Sequence, residues 1–458
     1  MSLENFSKKD LILLVESLIS EVGKLRAQVD SLTTKISILQ EEKQILSVKK
    51  SSTNSSIPPS SDLQRTNQSL RNKSNLKKGG QPGHKGHTLE MSSKPDNIVT
   101  HTPSFCSTCG NTLENEIGYV FERRQVVDIP PILPVFTEHQ SFAKTCKCGC
   151  LNKGTFPHNI NAPIQYGDSI EALAVYFSSR QYMPFSRLSE CFSDVFGINI
   201  CQSSIVNALS RFASKALPVY QRIKENIKKA PVLGTDETGV KVNGKKGWFW
   251  VWQNELNTYI SFSLSRGFDT INNLFPNGFK KSTLVSDCWA AQLKCDSNKH
   301  QICLAHLQRE LNYFIETNNE KWAIDMKSIL KDALELKKQI QSYEKPMPQR
   351  QKLEKRLATI LEISELSKNK KLKAFQKRLQ KHKYKIFPFL YDSRIPPDNN
   401  ASERAIRNVK VKSKISGQFV SEQKATDYAI LRSIIDTILK NGANVIDSLR
   451  LIAQFRPE

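Results

Sequence analysis

The sequence predicts a multidomain α+β protein. Its parts are an N-terminal coiled coil, a small cysteine-bearing β module, a helical segment, and an α/β domain with a helical insertion. Three observations support this. Leucine recurs every seventh residue from Leu11 to Leu46, and five of the ten cysteines fall between Cys106 and Cys150. From Ala230 onward, alternating apolar segments joined by short turns give way to strands alternating with helices.

Composition bounds the partners. Lys plus Arg total 67 against 44 for Asp plus Glu, a formal charge of +23 over 458 residues. Such a surplus favours a polyanion, through release of counterions from phosphates. Anionic membrane surface is the weaker reading of the same charge. No apolar run reaches bilayer-spanning length. The start, MSLENFSKKD, lacks the basic-then-apolar order of a secretory signal. A soluble, cytoplasmic protein is expected, with cysteines as thiols or metal ligands rather than disulfides.

Residues 1–48 read as a leucine zipper. Leu11, Leu18, Leu25, Leu32, Leu39 and Leu46 occupy d, and Val15, Val22, Val29 and Ile36 occupy a until Lys43 breaks the pattern. That combination favours a parallel two-stranded coiled coil, so a homodimer or higher assembly is expected. Residues 49–100 are rich in Ser, Pro, Gly, Asn and Lys and read as a basic, flexible linker. His84 and His87 in GHKGH are read as linker residues.

Residues 101–160 hold FCSTCG, with Cys106 and Cys109, and KTCKCGC, with Cys146, Cys148 and Cys150. Two sulfur pairs flanking a β-like span suit a structural four-thiolate zinc site. Cys106, Cys109, Cys146 and Cys148 are the expected ligands, although Cys150 leaves the second pair ambiguous. Residues 161–229 are helical. A break at Gly197 and a second helix from about Gln202 resemble a helix-turn-helix, and an ordinary helical hairpin fits as well.

In residues 230–420, PVLGTDETGVKV, GWFWVWQ and NTYISFSLS make a three-strand meander around an NGKK turn. The short helical RGFDTINNLF, the strand KSTLVSD, and the strand HQICL running into AHLQRELNYFIE follow. Three antiparallel strands, a helix, then strands alternating with helices is the order of an RNase H-like fold. In such a sheet the first and fourth strands are neighbours, which would bring Asp236 and Asp287 together. Lysine-rich helices over roughly 317–390 form an insertion, and 421–458 reads as helices packed on this domain.

Glu403, in PPDNNASERAIRNVKVKSK, has two readings. Asn400 as N-cap with Glu403 at the third helical position is a capping box. A third carboxylate beside Asp236 and Asp287 would instead complete a site for two divalent cations, Mg2+ or Mn2+, which prefer oxygen ligands and can serve phosphoryl transfer.

The stretches GTDETGVKV, VSDCWAAQ, CLAHLQREL and DNNASERAIRNVKVKSKISGQF resemble bacterial insertion-sequence DDE transposases of the IS-sixty-six type. NSSIPPSSD, GGQPGHKGHTL, the split cysteine module and ERRQVVDIP extend the resemblance over almost the whole chain. It implies an RNase H-like catalytic domain, binding of double-stranded DNA at inverted-repeat ends, and Mg-dependent end cleavage and strand transfer into target DNA. Its acidic triad maps onto Asp236, Asp287 and Glu403. Cys303 and His306 match a CxxH feature that shapes such sites. Arg404, Arg407, Lys410, Lys412 and Lys414, on the Glu403 helix, are the expected phosphate contacts. Accessory proteins of the same element and association with the nucleoid are further expectations. A zinc-and-zipper DNA-binding regulator, or another RNase H-like nuclease, are the rival readings.

Overall fold

The computed structural model describes residues 7–47, 50–55, 62, 83, 85–86, 88–343, 347–362 and 369–455. His84, His87, the Leu46 side chain and most of NSSIPPSSD lie outside the described residues.

Helix α1 (Lys8–Ser47) is uninterrupted, as the heptads require. Its a and d side chains from Val15 to Leu39 are 47–62% exposed, so this chain alone leaves the seam open. The expected linker begins differently. Residues 51–55 fold into a tight turn in which Asn54 is 4% exposed, because Asn54 Oδ1 accepts from Ser51 N and its Nδ2 donates to Glu316.

The cysteine module contains one short hairpin, β1 (Ala143–Thr145) with β2 (Leu151–Lys153), and an isolated bridge between Phe105 and Thr112. The β-like span expected between the cysteine pairs, residues 119–145, is met only in its last three residues, which are β1. Residues 117–142 form no ladder, and Ile117, Phe121, Val126 and Phe136 are exposed. Apolar residues alone do not pair a strand, and among the described residues none forms a ladder with this segment.

Four helices follow: α2 (Asp168–Val175), α3 (Phe185–Phe196), α4 (Gln202–Lys215) and α5 (Leu217–Lys228). The helical hairpin breaks at Gly197, where the sequence places it. The two cations of α4 pair with carboxylates of α2, the exposed Arg211 with Glu171 and the half-buried Lys215 with Asp168 and Glu171.

The mixed sheet comprises β3 (Val232–Val242), β4 (Lys245–Gln253), β5 (Thr258–Ser263), β6 (Phe279–Ser286) and β7 (Ser297–Ile302), in the order β5-β4-β3-β6-β7. β3, β4 and β5 are antiparallel, whereas β6 runs parallel to both β3 and β7. Asn243 and Gly244, both at positive φ, form the two-residue turn that matches the right-handed strand twist. Short helices α6 (Phe268–Leu274) and α7 (Ala290–Leu293) flank β6. α8 (Leu304–Asn318) leads into the insertion helices α9 (Lys321–Gln339), α10 (Pro348–Glu362) and α11 (Lys370–Lys381). The chain then returns through α12 (Asn400–Ser416), α13 (Glu422–Lys440) and α14 (Val445–Ala453).

Three apolar cores hold these layers. Val240, Phe249, Val251 and Ile260 on one sheet face pack on Ala405, Ile406 and Val409 of α12. Trp250, Trp252, Phe275 and Leu284 join a core with α5, α13 and α14, and the insertion packs around α8. α13 covers the β5 edge, where the Ser433 and Thr437 hydroxyls accept from Ile260 N and Thr258 N.

Candidate active site

Sheet register brings the two aspartates together. Gly234 pairs with Val285 across the parallel β3–β6 ladder. Two residues further along both strands stand Asp236 and Asp287, at equal height and on the same face by alternation. Asp287 lies one residue beyond β6, where the chain opens toward solvent.

Glu403 approaches Asp287 from α12, the two carboxylates meeting through His306, and the helix cap explains how. The capping-box reading is corrected here: the N-cap is Asn399, not Asn400, so Glu403 is the fourth helical residue. Asn399 does not cap with its side chain, because its Nδ2 donates to Thr235 O of β3 at 2.7 Å. Asp398 Oδ1 takes the Asn400 N–H instead. The Glu403 carboxylate is thereby left free of the backbone, beside β3. The first turn of α12 is further fixed through Cys303, whose buried Sγ accepts from Asn399 N at 3.2 Å.

His306, on the first turn of α8, stands between two carboxylates. Its Nε2 lies 3.2 Å from Asp287 Oδ2 and 3.1 Å from Glu403 Oε1. Arg309, one turn on, donates to Glu403 Oε1 at 3.5 Å. The Arg309 contact was missed at the level of sequence, although its i+3 spacing from His306 was a usable signal.

The electrostatics follow from this crowding. Burial, then the neighbouring Asp287 and Glu237 carboxylates, hold the Asp236 pKa well above the usual carboxylate range. Burial also raises Asp287, with His306 opposing and Glu403 reinforcing the shift. Glu403 goes the other way, lowered by its hydrogen bond from His306 despite partial burial. Burial alone would lower the His306 pKa, but Glu403 and Asp287 outweigh it and the net shift is upward. Asp287 Oδ1 is buried and accepts no hydrogen bond among the described residues. Asp287, Cys303 and His306 place ligand atoms within 4.8 Å of one another. Burial pushes the Cys303 thiol up to about 12, and its Sγ here acts as the hydrogen-bond acceptor that holds Asn399.

A second carboxylate on β3, Glu237, was also missed. It is bound by Arg266 and by Gln292, 29 and 55 residues away, separations that no local motif reveals.

Of the basic residues on α12, Arg404, Arg407 and Lys414 are exposed. Lys410 is half-buried, its Nζ donating to Gly239 O at 3.1 Å. Lys412 is 6% exposed, its ammonium 5.0 Å from the Phe185 ring centroid, and it faces the protein interior.

The cysteines form two matching turns. Gly110 N donates to Cys106 O and Cys106 N to Asn111 O. Gly149 N donates to Cys146 O and Cys146 N to Cys150 O. Both glycines have positive φ, which lets the chain fold back under the sulfurs. The second turn is one residue shorter, so Cys148 corresponds to Cys109 and Cys150 to Asn111. Hydrogen bonds from Cys109 and Thr108 lower the Cys106 pKa to about 7, and those from Cys150 and Cys146 lower Cys148. The two turns are not gathered: among the described residues, no three of these thiols come within 4.8 Å of one another.

A strongly basic mixed α/β protein with carboxylates at the end of a parallel strand pair and two separate cysteine turns has the features of a nucleic-acid-binding protein with a cysteine metal module. Residues 163–427, more than half of the chain, match the family described as Transposase IS66 family. Residues 103–149 match the zinc-finger binding domain of transposase IS66, a span that includes Cys146 and Cys148 and stops before Cys150. Residues 2–90 match a family of unknown function, DUF6444. No curated protein matches the chain. The chain belongs to the IS66 transposase family: it is a DNA-binding transposase with a structural zinc-finger domain. No described helix is long and apolar enough to cross a membrane.

Proposed function

We propose that this transposase cleaves DNA at the inverted-repeat ends of its element and joins those ends to target DNA, using Asp236, Asp287 and Glu403 of an RNase H-like domain. The observation that supports this most is the convergence of three acidic side chains from β3, the end of β6 and α12, two of them with raised pKa values. Crowded, partly buried carboxylates repel one another, and cationic charge relieves the repulsion. The proposed ligands fit hard divalent cations: all three are carboxylates, and Asp287 Oδ1 is a buried acceptor with no hydrogen bond among the described residues. Bound Mg2+ or Mn2+, two per site, would supply activation of the attacking hydroxyl and stabilisation of the leaving oxygen.

The protein's own groups orient this chemistry. Asn399 and Cys303 fix the helix that carries Glu403. His306 and Arg309 hold that carboxylate toward Asp287, and Arg309 adds positive charge where a phosphate would enter. Arg404, Arg407 and Lys414 are the proposed backbone-phosphate contacts on α12, with Lys410 closer to Asp236. Lys412 is left out of this set because it is buried.

For the zinc domain we propose Cys106, Cys109, Cys146 and Cys148 as ligands, from the equivalence of the two turns. The metal would join turns that the exposed span 117–142 does not hold together, as in domains whose folding is coupled to metal. The open seam of α1 would pair two protomers so that both DNA ends are processed together. The domain limits given by the sequence, a cytoplasmic, nucleoid-associated location, and a need for accessory proteins belong to the same proposal.

Asp287→Asn tests it. Metal-dependent cleavage should vanish while binding to the inverted-repeat end stays within about twofold. Loss of both together would mark Asp287 as structural, and cleavage by the variant would remove it from the site.

A further inference from the structure

We infer that Trp289 and Arg266 form a stacking platform for an unpaired nucleotide at the DNA end being cut, with Glu237 and Gln292 as its positioning residues. This deepens the strand-transfer reading above and rests on it.

The platform is built across β3 from the aspartates. Glu237 follows Asp236 in the strand and so faces the opposite side. Its carboxylate is 4% exposed, and Oε1 accepts from Arg266 Nε at 2.9 Å and Nη2 at 2.6 Å. Oε2 accepts from Gln292 Nε2 at 2.6 Å. Held at that edge, the guanidinium lies between two rings, 3.8 Å from the Trp289 centroid and 4.9 Å from that of Trp248. Trp289 Nε1 donates to Arg266 O at 3.4 Å, which fixes the indole orientation.

A purely structural stack of this kind would be covered. This one is anchored by a buried carboxylate, yet Trp289 remains 37% exposed and the Arg266 side chain 38%. Trp289 stands two residues after Asp287, and Glu237 lies within electrostatic reach of Asp287 and His306, so the platform is close to the aspartates although on the other face of β3. The reacting groups are recessed: the side chains of Asp287, Glu403 and His306 are 25%, 18% and 14% exposed. A single displaced strand enters such a recess more easily than an intact duplex. Enzymes that act on a recessed strand meet the cost of unpairing with aromatic and guanidinium surfaces. With Arg266 covering one face of the Trp289 indole and itself held by Glu237, the other face of the indole suits a base, and the nearby positive charge suits its phosphate.

The test uses the full-length protein, Ca2+ in place of Mg2+, and fluorescence anisotropy. The probes are duplexes of the inverted repeat flanking its own gene, either fully paired or with the last three base pairs mismatched. Wild type should bind the mismatched end about tenfold more tightly, within the roughly 5- to 160-fold that one stacked base provides. Trp289→Ala should lose that preference and keep its affinity for the paired end, and Trp289→Phe should regain most of it. Glu237→Gln should weaken the preference with Trp289 intact. A wild type without preference, or an alanine variant that keeps it, overturns the inference. Mn2+-dependent cleavage of the mismatched end by wild type is read separately. Preference without cleavage would sink the strand-transfer reading, and cleavage without preference would sink only the platform.

Discussion

Gly234→Ala probes how the third carboxylate is positioned. Gly234 sits in β3 under the first turn of α12. A Cβ there would lie 2.5 Å from Ser402 Oγ, 2.7 Å from Gln253 Nε2 and 2.8 Å from Asn399 Oδ1. All three side chains are buried, so none can swing into solvent. Bringing Ser402 Oγ out to the 3.4 Å at which ordinary contact begins moves the helix start by about 0.9 Å. Overpacking of this size costs about 1–3 kcal/mol, and strain on the Asn399–Thr235 hydrogen bond adds up to ~1 kcal/mol. Glu403 is the next residue along the helix and moves with it. A misplacement near 1 Å costs on the order of a hundredfold in rate. Gly239→Ala, in the same strand, is the control, because its Cβ would meet nothing closer than 3.5 Å. Thermal unfolding and Mn2+-dependent end cleavage are measured on both. Gly234→Ala should melt several degrees lower and cleave on the order of a hundredfold more slowly, and Gly239→Ala should match wild type. Equal behaviour of the two variants would refute the close-packing account.

Three other outcomes follow from the same structure. Cys148→Ser should lose zinc and Cys150→Ser should keep about one zinc per chain, read by elemental analysis; the opposite pattern would reassign the second turn. Burial pushes the Lys412 pKa down to about 8, below its unfolded value near 10.5. The unfolded chain therefore binds more protons between those values, so stability rises with pH across that window and carries the full penalty below it, about 3 kcal/mol at most. Lys412→Met should raise stability at pH 7 by about 1–3 kcal/mol and flatten that rise, as denaturant titration at pH 7 and 10 would show. On DNA, Arg407→Ala should weaken end binding and reduce its salt dependence, whereas Lys412→Met should leave both unchanged in a salt titration.

The sheet was legible because its signals are local. The Asn243–Gly244 turn and the alternation on either side of it define the meander, and the parallel neighbour places Asp287 level with Asp236. The zinc domain was legible in its cysteine spacing, but the β-like span of 119–145 pairs only at its end, in β1, among the described residues. Glu403 was ambiguous because Asn399 and Asn400 are adjacent: one residue separates a capping box from a free carboxylate, and the hydrogen bond to Thr235 that decides it spans 164 residues. Lys412 was misplaced because its charge outweighed its position. It continues the buried stripe of Ser402, Ala405 and Val409, a periodicity present in the sequence. The Glu237–Arg266–Gln292 cluster depends on tertiary proximity alone and leaves no mark on any one segment.

The most direct measurement is cleavage of labelled inverted-repeat DNA from the element's own ends, with Mn2+, by wild type and Glu403→Gln side by side. The account predicts metal-dependent end cleavage and joining by the wild type, and roughly a hundred- to thousandfold less by the variant at undiminished end binding, the order of loss (about 2.7–4 kcal/mol) seen when one group that stabilises transition-state charge is removed. Equal cleavage by the two proteins would contradict it and remove Glu403 from the chemistry.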